Sequence, residues 1–133
     1  MGVNLTKESI DLGIITNNAE AMVAFYRDVL GLEEREPLAI PGMRIQPLGA
    51  GSSVVKIVTM KRPVDTECAP GGLSGATGMR YFTMSVSNVA EIVAACEAAQ
   101  ATIAVPIAEI APGTTIAIVE DPDGNWVEFV QTA

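Results

Sequence analysis

Apolar and polar residues alternate from residue 9 to residue 16, which predicts a β-strand with one apolar face. The next apolar stripe repeats every three to four residues and predicts a helix that begins at Asn17 or Asn18 and ends at Gly31. Three further strand patterns cover residues 32–36, 43–48 and 53–60, with turn residues between them. The first half of the chain is therefore predicted to form a β-α-β-β-β module.

The same order of patterns begins again after residue 78. A strand over residues 79–87 precedes a helix that begins at Asn88, and strands over 102–105, 107–110, 114–119 and 126–131 follow. A shift of 70 residues aligns Asn18 with Asn88, and a shift of 72 aligns residues 55–58 with 127–130. This internal repeat predicts two modules, residues 8–60 and 79–131.

Residues 61–78 are rich in glycine and proline, have no period, and connect the two modules as a linker or as a mobile lid. Neither module is large enough to bury its sheet alone. We therefore expect the modules to pair, and the sequence is equally compatible with pairing within one chain and with exchange between two chains.

The clearest turn is Asp121-Pro122-Asp123-Gly124, between two strand patterns. Pro122 restricts φ, Asp123 is expected to bond locally, and Gly124 suits a positive φ, so the segment predicts a hairpin. Glu128 lies in the second strand of this hairpin, in step with Trp126 and Val130. A carboxylate in the middle of an apolar strand needs an explanation.

Period-two alternation divides the residues of each predicted sheet between two faces. One face is apolar and is expected to pack against the helix. The other face mixes apolar and polar residues, which suits a small-molecule pocket better than a second core. In the first module this mixed face holds Asp11, Gly13, Ile15, Val54, Lys56 and Val58, and in the second it holds Tyr81, Thr83, Ser85, Trp126, Glu128 and Val130.

Composition narrows the function classes. The chain has 133 residues, 49% of them hydrophobic, which is enough for one globular domain. A formal net charge of −8 disfavours nucleic acid and anionic membranes as partners. No apolar run approaches the ~18 residues of a membrane span, and residues 1–9 lack the apolar segment of a signal peptide, so we expect a cytoplasmic protein. Cys68 and Cys96 suit that compartment as free thiols.

The chain contains no histidine. Zinc, iron, nickel and copper sites usually use imidazole ligands, and Ser-His-Asp and Cys-His catalytic sites require it. Any chemistry must therefore use carboxylates, Lys, Arg, Tyr or Cys.

Two segments resemble the signature segments of the vicinal oxygen chelate superfamily, which includes glyoxalase I, ring-cleaving dioxygenases and bleomycin resistance proteins. They are Phe25-Tyr26-Arg27-Asp28-Val29-Leu30-Gly31-Leu32 and Asp121-Pro122-Asp123-Gly124-Asn125 through Glu128. The resemblance covers residues 10–131. It implies one α+β domain over residues 1–133, in which paired βαβββ modules form a curved, partly open mixed sheet around a cavity.

In glyoxalase-like members of this superfamily, four side chains, two from each module, hold a divalent metal. The resemblance carries these positions to Asp11, Lys56, Tyr81 and Glu128. Only Glu128 is the preferred ligand type, since a protonated Lys56 cannot bind a cation and Tyr81 is a poor ligand at neutral pH. We expect no metal and no other cofactor, with Mg²⁺ or Ca²⁺ at Asp11 and Glu128 as the alternative.

The sequence leaves two functions open. The first is a protein that binds or sequesters a small aromatic or cationic compound, as bleomycin resistance proteins do. Its wall would be formed by Trp126, Thr83, Ser85, Ile15, Val54, Val58 and Val130, with Arg44 at the rim.

The second is a metal-independent isomerase, lyase or cyclase, in which Glu128 or Asp11 acts as general base and Lys56 or Tyr81 stabilises an anion. In both cases Lys56 is expected near the two carboxylates, where its charge would replace that of a metal. The resemblance also implies a homodimer.

Overall fold

The computed structural model describes residues 2–133. The chain forms two compact units, one ending at Asp65 and the other running from Thr66 to Ala133. The boundary lies within the predicted linker, residues 61–78. No helix among the described residues combines the length and the apolar character of a membrane-crossing segment.

The first unit contains one mixed sheet and one helix. Its strand order is β1-β5-β4-β2, β3 also pairs with β4, and only β1 and β5 are parallel. The elements are β1 (Leu12–Ile15), α1 (Ala19–Ala24) with a π-helical turn (Phe25–Val29), β2 (Glu33–Glu34), β3 (Leu38–Ile40), β4 (Met43–Ala50) and β5 (Ser53–Met60).

The second unit repeats this arrangement with one strand fewer. Its order is β6-β9-β8-β7, with β6 and β9 parallel and the other pairs antiparallel. The elements are a 3₁₀ turn (Gly72–Ser74), β6 (Tyr81–Ser85), α2 (Val89–Ala98), β7 (Ile103–Ala111), β8 (Thr114–Glu120) and β9 (Trp126–Thr132). The predicted α+β class is confirmed.

The repeat extends to the strand register. In the first unit Leu12 lies opposite Val55, and in the second unit Phe82 lies opposite Val127. The first residues of these pairs are 70 apart and the second are 72 apart, which are the two shifts found in the sequence. The two units therefore present equivalent faces.

The helices cover the apolar face of each sheet. α1 packs on β5, and α2 packs on β7, β8 and β9. The π-helical turn brings two consecutive aromatic residues into the core: Leu30 N–H donates to the Phe25 carbonyl at 3.0 Å, and Phe25 and Tyr26 are both buried with their rings edge to face at 5.1 Å. The wider turn explains how neighbouring residues both point inward.

Three strand predictions need correction. Ile10 is 83% exposed and β1 begins only at Leu12. Just before the strand, the Asp11 carboxylate accepts a hydrogen bond from the Val54 N–H at 3.0 Å. The pattern at 32–36 forms only a two-residue strand, and β3 has no counterpart in the predictions. Residues 102–110 were predicted as two strands, whereas β7 is continuous with register shifts. Pro106 is tolerated there because β7 is an edge strand.

The helix caps also differ from the prediction. Asn18 and Asn88 occupy the N-cap positions, but neither side chain bonds to its own helix backbone. Instead, the Val89 N–H at the start of α2 donates to the Gln131 side chain of β9 at 2.8 Å. A residue distant in sequence therefore provides the acceptor that an N-cap side chain usually provides.

The hairpin between β8 and β9 is organised by Asp121. Its buried carboxylate accepts hydrogen bonds from the Asp123 N–H at 3.0 Å and the Asn125 N–H at 2.9 Å, and also from the Asn125 amide. Gly124 has φ +86°, so the predicted left-handed position is confirmed. The loop is therefore held by one side chain that accepts several local donors.

We expect Asp121→Ala to destabilise the second unit by about 2–3 kcal/mol, because the substitution leaves two backbone N–H groups of a tight loop without acceptors. Asp121→Asn keeps one acceptor oxygen and should lose less than half of that amount. Urea denaturation followed by circular dichroism measures both values. Equal losses for the two variants would contradict this role of the carboxylate.

The two thiols should differ in reactivity. Burial raises the pKa of the Cys96 thiol to about 11, whereas Cys68 is exposed. Since the thiolate is the reactive form, Cys96 stays a neutral thiol at pH 8. A thiol-specific reagent should therefore modify Cys68 alone in the folded chain and both cysteines in denaturant. Cys68→Ser provides the control, and rapid labelling of that folded variant would contradict the assignment.

Candidate functional site

The mixed face of the first unit is set by the pairing of β1 with β5. Lys56 lies opposite Gly13 and Pro47, and Val58 lies opposite Ile15 and Ile45. This face is unevenly covered, since Ile15 is half-exposed, Val54 is partly buried and Val58 is buried. Ile15, Val54, Lys56 and Val58 are therefore on one face, as predicted.

Asp11 lies just before β1, and its side chain forms hydrogen bonds with residues other than Lys56. Its carboxylate accepts from the Lys7 ammonium at 2.7 Å and from the Val54 N–H at 3.0 Å. The hydrogen bond from Lys7 is the main cause that lowers the pKa of Asp11, and the charge of Lys56 contributes least. Lys56 forms no ion pair within residues 2–133. The expected pairing of Asp11 with Lys56 is thus replaced by a local pair with Lys7.

Arg44 does not lie on the mixed face. Its partner in β5 is Thr59, and it alternates with Ile45, which lies opposite Val58. Arg44 therefore points to the side of the sheet covered by α1. The sequence pattern predicted a position at the cavity rim, but an isolated strand pattern does not reveal which of two alternating sets faces the helix.

The mixed face of the second unit presents two aromatic rings, hydroxyl groups and one carboxylate. Tyr81 lies opposite Trp126, Thr83 opposite Glu128, and Ser85 opposite Val130. The three β6 residues are exposed and the three β9 residues are partly buried. The predicted set Tyr81, Thr83, Ser85, Trp126, Glu128 and Val130 is therefore brought together on one face.

Glu128 is oriented by its neighbour across the parallel pair. The Thr83 hydroxyl donates to Glu128 Oε1 at 2.7 Å. No other hydrogen bond or ion pair of Glu128 occurs within the described residues, so Oε2 remains an acceptor for a bound molecule. A hydroxyl that donates to a carboxylate oxygen fixes the direction of the carboxylate.

The indole ring of Trp126 is held by a hydrogen bond at its N–H and by a packing contact on one face. The indole Nε1–H donates to Glu120 Oε1 at 3.2 Å. Gly72, with φ +55°, packs against the ring so closely that an added Cβ would collide with Cε2 of the indole. The loop before β6 therefore contacts the mixed face, and only glycine fits at this contact.

Arg80 holds this loop in place. Its guanidinium donates to the carbonyls of Gly72 at 2.7 Å, Ala69 at 2.8 Å and Pro70 at 3.2 Å. The sequence placed Arg80 in the predicted strand 79–87 and Gly72 in the predicted linker, and it suggested neither contact, because the contacts form only when the loop folds back. An arginine directly before a strand and after a glycine-rich segment was the only available signal.

The four positions that hold a metal in glyoxalase-like proteins do not fit a divalent cation in this chain. Lys56 offers an ammonium, Tyr81 a phenol, and the Asp11 carboxylate is bonded to Lys7. Within residues 2–133 there is no group of three His, Cys, Asp or Glu side chains arranged to hold a metal. These side chains therefore give a metal no role at the four positions.

Solved structures with the same fold include a glyoxalase family protein from Bacillus cereus, with a TM-score of 0.84 and 12% identity over 99% of this chain and 98% of that one. A glyoxalase/bleomycin resistance protein/dioxygenase domain from Frankia sp. EAN1pec has a TM-score of 0.77 and 12% identity, covering 98% and 94%. Lactoylglutathione lyase from Agrobacterium tumefaciens has a TM-score of 0.66 and 23% identity, covering 96% of each chain. At these identities the likeness shows the fold alone.

Comparison with curated proteins finds no match. The model of the Glyoxalase/Bleomycin resistance protein/Dioxygenase superfamily matches residues 10–129, which is most of the chain and includes both units. The repeated register, the mixed faces and the hairpin that contains Glu128 agree with this match. The chain belongs to the Glyoxalase/Bleomycin resistance protein/Dioxygenase superfamily.

Proposed function

We propose that this protein binds a small aromatic, cationic molecule on the mixed face of its second unit and sequesters it without a metal. The observation that carries the proposal is the hydrogen bond of 2.7 Å from Thr83 to Glu128, on a face that also presents Tyr81 and Trp126. An oriented carboxylate beside two aromatic rings is suited to a flat cation.

Charge supports a cationic ligand. Glu128 has no cationic partner within residues 2–133, and the chain has a formal net charge of −8. A ligand cation would supply the missing partner, and the net charge would favour its approach. An anionic ligand would be repelled by Glu128 and by the negative net charge of the chain.

The rings define the rest of the ligand. Tyr81 is 49% exposed and Trp126 is partly buried, so both offer surface for stacking. Because the loop that Arg80 holds packs Gly72 on the Trp126 ring, one face of the indole is already covered. We infer that the ligand stacks on Tyr81 and on what remains accessible of the indole, with its charge near Oε2 of Glu128.

The alternative is a metal-independent isomerase, lyase or cyclase. The Thr83–Glu128 hydrogen bond supports it as well, since an oriented carboxylate is what a general base requires. Here Glu128 would remove a proton from the bound molecule and the Tyr81 hydroxyl would stabilise the resulting anion. Asp11 has no assigned step, because its carboxylate is bonded to Lys7. No step is assigned to Lys56 either.

Three further expectations stay predictions: the absence of a metal, the homodimer and the cytoplasmic location. The homodimer is supported by apolar surface, since Leu38 and Ile40 of the short strand β3 are both about half-exposed. The binding proposal includes the absence of a metal, but it needs neither the homodimer nor the cytoplasmic location.

Trp126 is the only tryptophan of the chain, so its fluorescence reports directly on the proposed face. In a series of bicyclic aromatic compounds that carry an ammonium, a hydroxyl or a carboxylate, we expect quenching to be strongest with the ammonium compound. Glu128→Gln should weaken binding of that compound by at least about tenfold, since charged hydrogen bonds contribute about 1.5–3 kcal/mol.

Glu109→Gln is the matched control, because Glu109 is an exposed carboxylate in β7 of the same sheet. It should leave the affinity unchanged. Equal weakening by both variants, or equal quenching by all three compounds, would contradict the proposed role of Glu128. Mass spectrometry of the bound compound then separates the two functions. Sequestration returns it unchanged, whereas an enzyme converts it and the Glu128→Gln variant does not.

Metal content can be measured directly. Protein purified without chelators should contain less than about one divalent ion per two chains, because the side chains of Lys56 and Tyr81 are unsuitable ligands. Elemental analysis of the dialysed protein gives this ratio. One tightly held ion per chain would overturn the metal-free proposal and favour Glu128 as a ligand.

A further inference from the structure

A second candidate site lies in the first unit, on the side of the sheet that faces α1. A groove of about 240 Å³ is lined by residues of α1 and of strands β4 and β5. Its apolar lining comes from Ala19 and Val23 of the helix and from Ile57 of β5, which is buried. None of the residues that line the groove belongs to the ligand face proposed on the second unit.

Two exposed side chains of opposite charge line the groove and have no ion-pair partner within residues 2–133. Glu20 comes from the helix side and Arg44 from the strand side. Within the described residues neither forms a hydrogen bond or an ion pair, and the two are not within ion-pair distance of each other. In the same groove Arg27 is fully engaged, with Asp28 at 2.7 Å and Glu34 at 3.0 Å.

Neutral polar groups complete the lining. Gln46 donates from its amide nitrogen to the Arg35 carbonyl at 2.7 Å, which fixes the side chain and leaves its amide oxygen as an acceptor. The Thr59 hydroxyl lines the groove beside the Arg44 position, since Thr59 and Arg44 are register partners. Both groups can hydrogen-bond to a polar ligand.

We propose that this groove binds a free α-amino acid with a small apolar side chain. The carboxylate of the ligand pairs with Arg44, its ammonium pairs with Glu20, and its side chain contacts Val23 and Ile57. Two unpaired opposite charges beside an apolar wall match a zwitterion, whereas a simple anion would meet Glu20 and a simple cation would meet Arg44.

The size of the groove and the net charge of the chain are consistent with an amino-acid ligand. The groove is slightly smaller than pockets for drug-sized ligands, which measure about 300–1,000 Å³. A zwitterion carries no net charge, so the charge of −8 on the chain does not oppose its binding. The inference does not depend on the function proposed for the second unit.

The test uses the ¹⁵N-labelled full chain titrated with leucine, N-acetylleucine and leucinamide. Leucine should shift the amide signals of α1, β4 and β5. The two derivatives, each lacking one charge, should bind at least about tenfold more weakly, as expected for loss of one charged hydrogen bond. Arg44→Gln and Glu20→Gln should each weaken leucine binding by a similar factor.

The control variants are Arg62→Gln and Glu36→Gln, which remove exposed charges outside the groove. They should leave leucine binding unchanged. The proposal is overturned if leucine causes no shifts up to about 10 mM, a range that includes weak ligands. It is also overturned if N-acetylleucine binds as tightly as leucine, or if either groove variant keeps full affinity. Trp126 fluorescence, which reports on the second unit, tests the other proposal separately.

Discussion

Each unit depends on the parallel pairing of its first strand with its last, because this contact joins residues about 45 positions apart and fixes the register of the sheet. Leu12 lies opposite Val55 in one unit and Phe82 opposite Val127 in the other. Once the register is set, alternation assigns each following side chain to the helix side or to the mixed face. A slip of one residue would exchange the core with the candidate site.

The two units use this common register for different chemistry. Lys56 and Glu128 occupy equivalent positions, but Lys56 has Gly13 opposite it and Glu128 has Thr83. The glycine leaves the ammonium without a neighbouring side-chain partner in β1, whereas the threonine hydroxyl orients the carboxylate. The carboxylate that first stood out in an apolar strand thus has a local physical explanation in its neighbour across the pair.

Irregular segments are held by side chains that bond to backbone groups. Asp121 accepts N–H groups in the hairpin, Arg80 donates to loop carbonyls, and Gln131 accepts the first N–H of α2. In each case one polar side chain satisfies backbone groups that no strand or helix partner reaches. The contacts of Arg80 and Asp121 fix the loop on Trp126 and the turn that leads into β9, so they help to shape the mixed face of the second unit.

The sequence by itself determined the two modules, the α+β class and the division of the sheet residues into two faces, because alternation and repetition are properties of neighbouring positions. It also identified the hairpin and the set around Glu128. It did not determine that β3 exists, that Arg44 faces α1, or that Asp11 bonds to Lys7. Those features were decided by the tertiary structure, since they depend on which face of a strand the helix covers and on which polar groups meet when distant segments fold together.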